Sequence, residues 1–484
     1  MKKVLTLLNL FLLFTLVTLT LYIFNIIDIP FLHPGEERVK VAVKPTSQVE
    51  NTAEKVERKK TFNELMAKAN VYYENHLYNL AIDTYTKASN ENSTSVEPLL
   101  KISEIQLILN EYEQAKNMCL KILQKDPHSV SAKIMLGQAY LGLADFVTAK
   151  SILDSIVSDV QIVQYHQGIV ALFYGEYERG RGLLAAAASS DASRSTQQYA
   201  QKFIDALNEF DRFQAGQHTH LKVLLAKNYV QIDQPNMAKE LLWGVVKENR
   251  NYRDAWIILG YSYLKLNQFE EAVDALEEAK NQDPEKPETL FFLGLAYASN
   301  NQLDEAIEVL NTAAQNGYQP RVHVEQKLAE LYYQKKEYEK ASNKYEEVIS
   351  LNAGDLNYFV RPIWIYIDAL QKPDKAVLLA QKALLNHPNK AMSYNLLGWA
   401  QVANDDFISA KKNLERAMQL DTNMDAPYLN YGWLYEKQGQ YDKAMRFYKQ
   451  AYELGGNGAV SKLAAEKYNI LINKNAGIMA NIFN

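Results

Sequence analysis

Residues 253–286, RDAWIILGYSYLKLNQFEEAVDALEEAKNQDPEK, and residues 287–320, PETLFFLGLAYASNNQLDEAIEVLNTAAQNGYQP, carry one pattern twice. In the first, Trp256, Leu259, Gly260 and Tyr263 are followed by Ala272, Leu276, Ala279 and Pro284. In the second, Leu290, Leu293, Gly294, Tyr297, Ala306, Leu310 and Ala313 stand at matching places. Large apolar residues three, four and seven apart mark one buried helical face. Each copy has two such faces, so each predicts a pair of antiparallel helices. Asn267-Gln268 signals the turn between them, and Asp283-Pro284 stops the second helix, because proline cannot continue one. Gly260 and Gly294 let the second helix approach closely, and the repeated alanines do the same from the other side.

The pattern extends outward in both directions. Ala81, Ala115 and Ala149 are 34 residues apart, as are Ala238, Ala272 and Ala306, and again Ala376, Ala410 and Ala444. Ala341 lies between the last two series at steps of 35. Eleven units begin near 62, 96, 130, 161, 219, 253, 287, 322, 357, 391 and 425. The last two read Tyr394, Leu397, Gly398, Ala410, Leu414, Ala417, then Tyr428, Tyr431, Gly432, Tyr435, Ala444, Tyr448, Ala451. A fixed period of this length signals stacked helical hairpins. The register resembles the tetratricopeptide repeat family over about four fifths of the chain. The resemblance implies an all-α, right-handed α-solenoid of about eleven hairpins with a C-terminal capping helix. It also implies a binding surface for protein or peptide partners rather than an enzyme.

Composition agrees. A length of 484 residues would otherwise suggest several globular domains. The net charge is −5 and no Lys/Arg-rich face is evident, which speaks against nucleic acid. The 31 tyrosines are expected to pack between helices. The single cysteine, Cys119, stands where Leu153 and Leu276 stand in other units, so it reads as a small core residue. One cysteine excludes an intramolecular disulfide.

Ahead of the array, Val4 to Ile27 is uncharged and long enough, as a helix, to cross a bilayer. Residues 1–30 therefore read as a transmembrane anchor; the alternative is a cleaved export signal, for which no small-x-small site lies close by. No cysteine follows the run, which excludes a lipid-anchored form. Lys2 and Lys3 precede the span, so the expected orientation is N-terminus inside and array outside a bacterial cell membrane. The alternative is an array tethered at the inner face. Residues 31–60, with Pro34 and Pro45, read as a flexible stalk. Thr61-Phe62-Asn63-Glu64 reads as a capping box opening units 1–4, over 61–187. Units 5–11 follow over 219–458, a capping helix over 459–473 and a loose tail over 474–484.

Two irregularities interrupt the register. From Gly180 the next aligned small residue is Ala238, so residues 188–218 form an insertion. Tyr199, Phe203, Ala206, Phe210 and Phe213 predict an extra amphipathic helix there, either a stacking spacer or a hinge or docking element. His218 and His220 lack companion ligands for a metal. In the ninth unit Trp364 takes the place of the usual Gly or Ala, and Pro362 falls nearby. Either the helix starts near Arg361 with Pro362 in its first turn, or the hairpin opens.

No Gly-x-x-x-x-Gly-Lys-Ser/Thr, His-Glu-x-x-His, Cys-x-x-Cys or Gly-x-Ser-x-Gly occurs, and no cofactor is implied. The resemblance instead points to the concave face formed by first helices. It would present Ile257, Tyr261, Phe291, Phe292 and Leu295 in units 6 and 7. In units 9 to 11 it would present Arg361, Ile365, Asn395, Trp399, Asn430 and Trp433. Amides beside aromatic rings suit an extended peptide; the competing reading is packing between repeats. The family's chaperone-binding members grip a carboxylate with Lys, Asn and Arg, whereas the first units here offer Met66, Asn70, Lys101, Ser131 and Met135, of which only Asn70 matches. The reading is a membrane-anchored, noncatalytic scaffold for envelope assembly or maintenance. The alternatives are an accessory subunit of a glycan polymerisation or secretion machine, and a cytoplasmic-facing adaptor.

Overall fold

The computed structural model describes residues 47–189, 192–212, 218–456 and 458–482. The expected span Val4–Ile27 lies outside them. Among the described residues there is no strand, and no helix is long and apolar enough to cross a membrane. The chain divides into two compact units after Gly244, within the helix Pro235–Glu248.

In the N-terminal unit, hairpin 1 pairs Ser47–Glu74 with Tyr78–Glu91, and hairpin 2 pairs Glu97–Ile108 with Tyr112–Lys125. Hairpin 3 pairs Val130–Gly142 with Phe146–Asp154, and hairpin 4 pairs Gln161–Phe173 with Tyr177–Ala187. The inserted helix Arg194–Arg212 comes next, then hairpin 5, His218–Gln231 with Pro235–Glu248. In the C-terminal unit, hairpins 6 to 8 are Arg253–Lys265 with Phe269–Gln282, Pro287–Ser299 with Leu303–Gln315, and Arg321–Gln334 with Tyr338–Leu351. Hairpin 9 joins Asn357–Trp364 through a π turn, Ile365–Ala369, to Pro373–Asn386. Hairpins 10 and 11 are Ala391–Ala403 with Phe407–Leu420, and Ala426–Lys437 with Tyr441–Gly455. The helix Ala459–Ile482 closes the chain.

Two expected boundaries are corrected. Thr61 lies inside Ser47–Glu74, so it does not open the helix, and the stalk expected to reach residue 60 is helical from Ser47. The tail expected to be loose from 474 is helical to Ile482.

Each hairpin turns on one residue in the left-handed region: His76, Asn110, Ala144, Gly175, Asp233, Asn267, Asn301, Lys336, Gln371, Asp405 and Gly439. The next backbone N–H then reaches back five residues, as Gln268 does to the Tyr263 carbonyl at 2.9 Å and Gln302 to Tyr297 at 2.8 Å. This satisfies carbonyls left open at the helix end and fixes the reversal.

The hairpin crossings follow one size rule. A small residue on the first helix faces a large one sixteen places later on the second. A carbon added to Gly294 would sit 2.5 Å from Leu310 Cγ; one on Gly398 would sit 2.6 Å from Leu414 Cγ, and one on Gly137 2.7 Å from Leu153. Those leucines are fully buried. Gly294→Val is therefore expected to cost about 1–3 kcal/mol through overpacking, and Leu310→Ala on the same chain to recover part of it. Urea melts of the single and double variants check this; an unchanged midpoint for Gly294→Val would mean the crossing has slack.

Hairpin 9 inverts the rule, with Trp364 on the first helix and Ala380 on the second. The helix does not begin at Arg361 as one expectation had it: it begins at Asn357, and Pro362 lies in its interior. The π turn adds one residue, so Lys372 N–H reaches back six places to Tyr366 instead of five. The rotation puts Ile363 into the core with Ala380 and Ala376. Trp364 is turned off the crossing and meets Tyr333 edge-on, ring centres 5.7 Å apart.

The inserted helix is a third layer of hairpin 4. Its Phe203 is fully buried and packs 5.1 Å from the Tyr229 ring, and the Tyr229 hydroxyl donates to the Ile169 carbonyl at 2.6 Å. The chain then returns upon itself: Asn236 Nδ2 donates to the Gly142 carbonyl at 2.8 Å, across 94 residues. Hairpins 3 and 5 therefore touch, although they are not neighbours in the stack.

Candidate protein-binding groove

The first helices of the C-terminal unit carry the candidate face. Tyr261 and Phe292, on successive hairpins, are half-buried with ring centres 5.0 Å apart. Ile257 and Leu295 are half-buried beside them in the register. Phe291 does not present itself: it is 6% exposed and stacks on Tyr318 at 4.2 Å, within the core of hairpins 6 to 8. Ile365 is fully buried, because the π turn that expels Trp364 draws it inward. Both are removed from the expected groove.

The two amides are also placed differently than expected. Asn395 and Asn430 are 3% and 8% exposed. Asn430 Nδ2 donates to Asn395 Oδ1 at 2.9 Å, so the pair forms a buried rung between hairpins 10 and 11. A buried amide needs such a partner, and here the neighbouring repeat supplies it. Trp399 and Trp433 remain half-buried on the same first helices. One side of each packs on the core around Ile363 and Leu396, and Trp433 also reaches the next cluster at Tyr431 and Leu434. Lys437 Nζ stands 5.4 Å from the Trp433 ring centre and pairs with Asp405 at 2.6 Å.

Between these groups sits Arg361, half-buried, its guanidinium 4.8 Å from the centre of the Tyr333 ring. Burial raises the Tyr333 and Tyr345 hydroxyls above their ordinary range, and the adjacent Arg361 charge partly offsets this. Tyr333 and Trp364 are site residues that the repeat register alone did not pick out. The available signal was the reversed size pair, Trp364 with Ala380.

Tyrosine hydroxyls elsewhere tie helices to carboxylates: Tyr297 to Glu277, Tyr366 to Glu346, and Tyr431 to Glu415 at 2.9 Å. At the other end of the chain Asn70 accepts from the Tyr85 hydroxyl at 2.6 Å, and Met66 is buried, so neither is available to grip a carboxylate. His218 stacks on Tyr177, ring centres 5.8 Å apart. Among the described residues no group of three His, Cys, Asp or Glu is placed to hold a metal.

Residues 225–320 and 401–466 match family models described as tetratricopeptide repeat. The chain is a tetratricopeptide repeat protein. As such it is a protein-interaction scaffold, and nothing in its described residues indicates enzymatic activity. Many solved structures resemble this repeat protein. The C-terminal part of a TPR repeat-containing protein from Cytophaga hutchinsonii is 16% identical; the match covers 50% of this chain and 98% of that one, with a TM-score of 0.42. A tetratricopeptide repeat protein from Parabacteroides merdae is 14% identical over 53% of this chain and 100% of that one, at 0.37. YrrB, described as a TPR protein with an unusual peptide-binding site, is 14% identical over 47% and 99%, at 0.28. No curated protein sequence matches this repeat protein. Identities of this size carry no function from those proteins to this one.

Proposed function

We propose that this protein is a membrane-tethered, noncatalytic scaffold whose C-terminal hairpins hold an extended segment of a partner protein, in the assembly or maintenance of a bacterial envelope. The observation that carries the binding reading is the pair Trp399 and Trp433. They hold one position on consecutive first helices, and each keeps part of its ring outside the core. Rings of this kind, half anchored and half open, are the usual centres of peptide recognition. The tether rests on the uncharged run from Val4 to Ile27.

Protease added to spheroplasts is expected to digest the array, with lysed cells as the control. Full protection of the intact spheroplasts would place the array inside. A mature form lacking the first thirty or so residues would show a cleaved signal instead of an anchor. Crosslinking and recovery of the detergent-solubilised full chain then identifies the partner segment.

A further inference from the structure

Arg361 is more tightly fixed than a surface arginine usually is. Its guanidinium carbon stands over the Tyr333 ring, and Tyr333 is itself braced by Trp364. It also stands beside the Tyr345 hydroxyl. Tyr333 and Tyr345 are 8% and 7% exposed, so the platform beneath the charge is part of the core.

What this arginine lacks is a carboxylate. The acids on the two helices of hairpin 8 are all engaged elsewhere. Glu325 pairs with Arg321 at 2.9 Å and Lys344 at 2.8 Å. Glu330 pairs with Lys327 at 3.3 Å and also accepts from Gln326 at 3.3 Å. Glu337 pairs with Lys340 and Lys335, and Glu339 with Lys372. Glu346 takes the Tyr366 hydroxyl, and Glu347 takes Lys344. Among the described residues no carboxylate stands within ion-pair distance of Arg361, and every acid on hairpin 8 already has a partner of its own. A guanidinium held over an aromatic ring, half-buried and without a carboxylate partner, is preorganised for a planar, two-oxygen acceptor.

Its place in the stack says which acceptor. Aromatic groups continue on both sides of hairpin 9: Tyr261 and Phe292 toward hairpins 6 and 7, Trp399 and Trp433 on hairpins 10 and 11. A segment lying along first helices would pass Arg361 in its middle, not at its end. We infer that Arg361 recognises an internal Asp or Glu side chain of the partner segment, flanked on both sides by apolar or aromatic residues. This rests on the groove reading above. It differs from a grip on a chain terminus, because one arginine in mid-groove meets one side-chain carboxylate.

The test uses the full-length protein in detergent and pools of short synthetic peptides, acetylated and amidated. Flanking positions mix aromatic and aliphatic residues, and the centre is Glu in one pool and Gln in another. A third pool has Gln at the centre and a free C-terminal carboxylate. The Glu pool is expected to be retained about tenfold better than the Gln pool, the usual size of one charge-assisted bond. Arg361→Glu is expected to abolish that preference. Arg361→Lys keeps the charge but not the fork, and is expected to reduce it at least about threefold with an unchanged melt. This second variant decides the matter should Arg361→Glu fail to fold. Equal retention of the Glu and Gln pools, both lost in Trp399→Ala/Trp433→Ala, would overturn the Arg361 inference and leave the groove standing. Preference for the free carboxylate would overturn it in favour of a chain end. Retention of no pool would overturn both.

Discussion

The double substitution Trp399→Ala/Trp433→Ala weakens capture of the partner segment at least about 30-fold, on the expectation that one ring closed against a ligand contributes about 2 kcal/mol at a binding centre. The two rings lie on consecutive hairpins, so an extended segment touches both. Each also packs on a core of Ile363, Leu396 and Ala400 or of Tyr431 and Leu434, and truncation lowers the melting temperature as well. The two effects separate on one preparation. The cluster beneath them also holds Phe359, Tyr366 and Leu379, so the variant is expected to stay folded and to melt a few degrees early. Binding and melting both at wild-type values would show that the groove lies elsewhere. A collapse of the melt before any binding is lost would show that the tryptophans are chiefly packing.

The second large effect concerns acid. His166 lies in the core of hairpin 4, its Nδ1 without a hydrogen-bond partner and its Nε2 3.4 Å from Gln138 Nε2. Burial holds its pKa down at about 4, against 6.5 for the free side chain. The folded protein therefore refuses a proton that the unfolded chain accepts. The stability this represents is fully present above pH 6.5 and is lost as pH falls towards 4. The loss reaches at most about 3 kcal/mol, since one unit of difference is worth ~1.4 kcal/mol. His166→Gln removes the ionisable group, so the gap between its urea midpoint and that of the wild type should narrow, or change sign, between pH 7 and pH 4.5. Asp145, Asp154 and Glu176 have lowered pKa values, Asp145 and Glu176 chiefly through the hydrogen bonds their carboxylates accept, and burial lowers His323 as well. These groups are common to both proteins, so their contributions cancel in the gap between the two midpoints. A constant gap would mean that His166 takes up its proton in the folded state without penalty.

The sequence made the stack legible because each hairpin repeats the same local solution. Ala272 predicts where Ala306 stands, and the Gly260–Leu276 pairing foretells Gly294–Leu310. It was less informative wherever a residue's surroundings come from a neighbouring repeat. Asn395 sits at a position that faces the groove in register, yet Asn430, thirty-five residues away, turns both amides inward. The π turn has no compositional mark of its own. It follows from fitting a tryptophan at 364 against a helix whose opposing residue has shrunk to Ala380, and only the pair, read together, could have announced it. Thr61 to Glu64 has the letters of a cap, but the polar residues before it continue the helix, and a Thr-x-x-Glu spacing sits equally well in a helix interior.

The bond from Asn236 to the Gly142 carbonyl changes the unit it closes. In an open stack each hairpin leans only on the next, so unfolding can begin at an end and travel like a zip. The C-terminal hairpins, each packed on its sequence neighbours, have that character. In the N-terminal unit, hairpin 4 and the inserted helix are enclosed in a loop whose ends are fastened together. Freeing either element first requires breaking contacts made by residues far along the chain, which slows the folding search and sharpens the transition. The C-terminal hairpins can breathe repeat by repeat while the segment between Gly142 and Asn236 opens as a block, so amide exchange should be graded in the C-terminal unit and uniform across that segment.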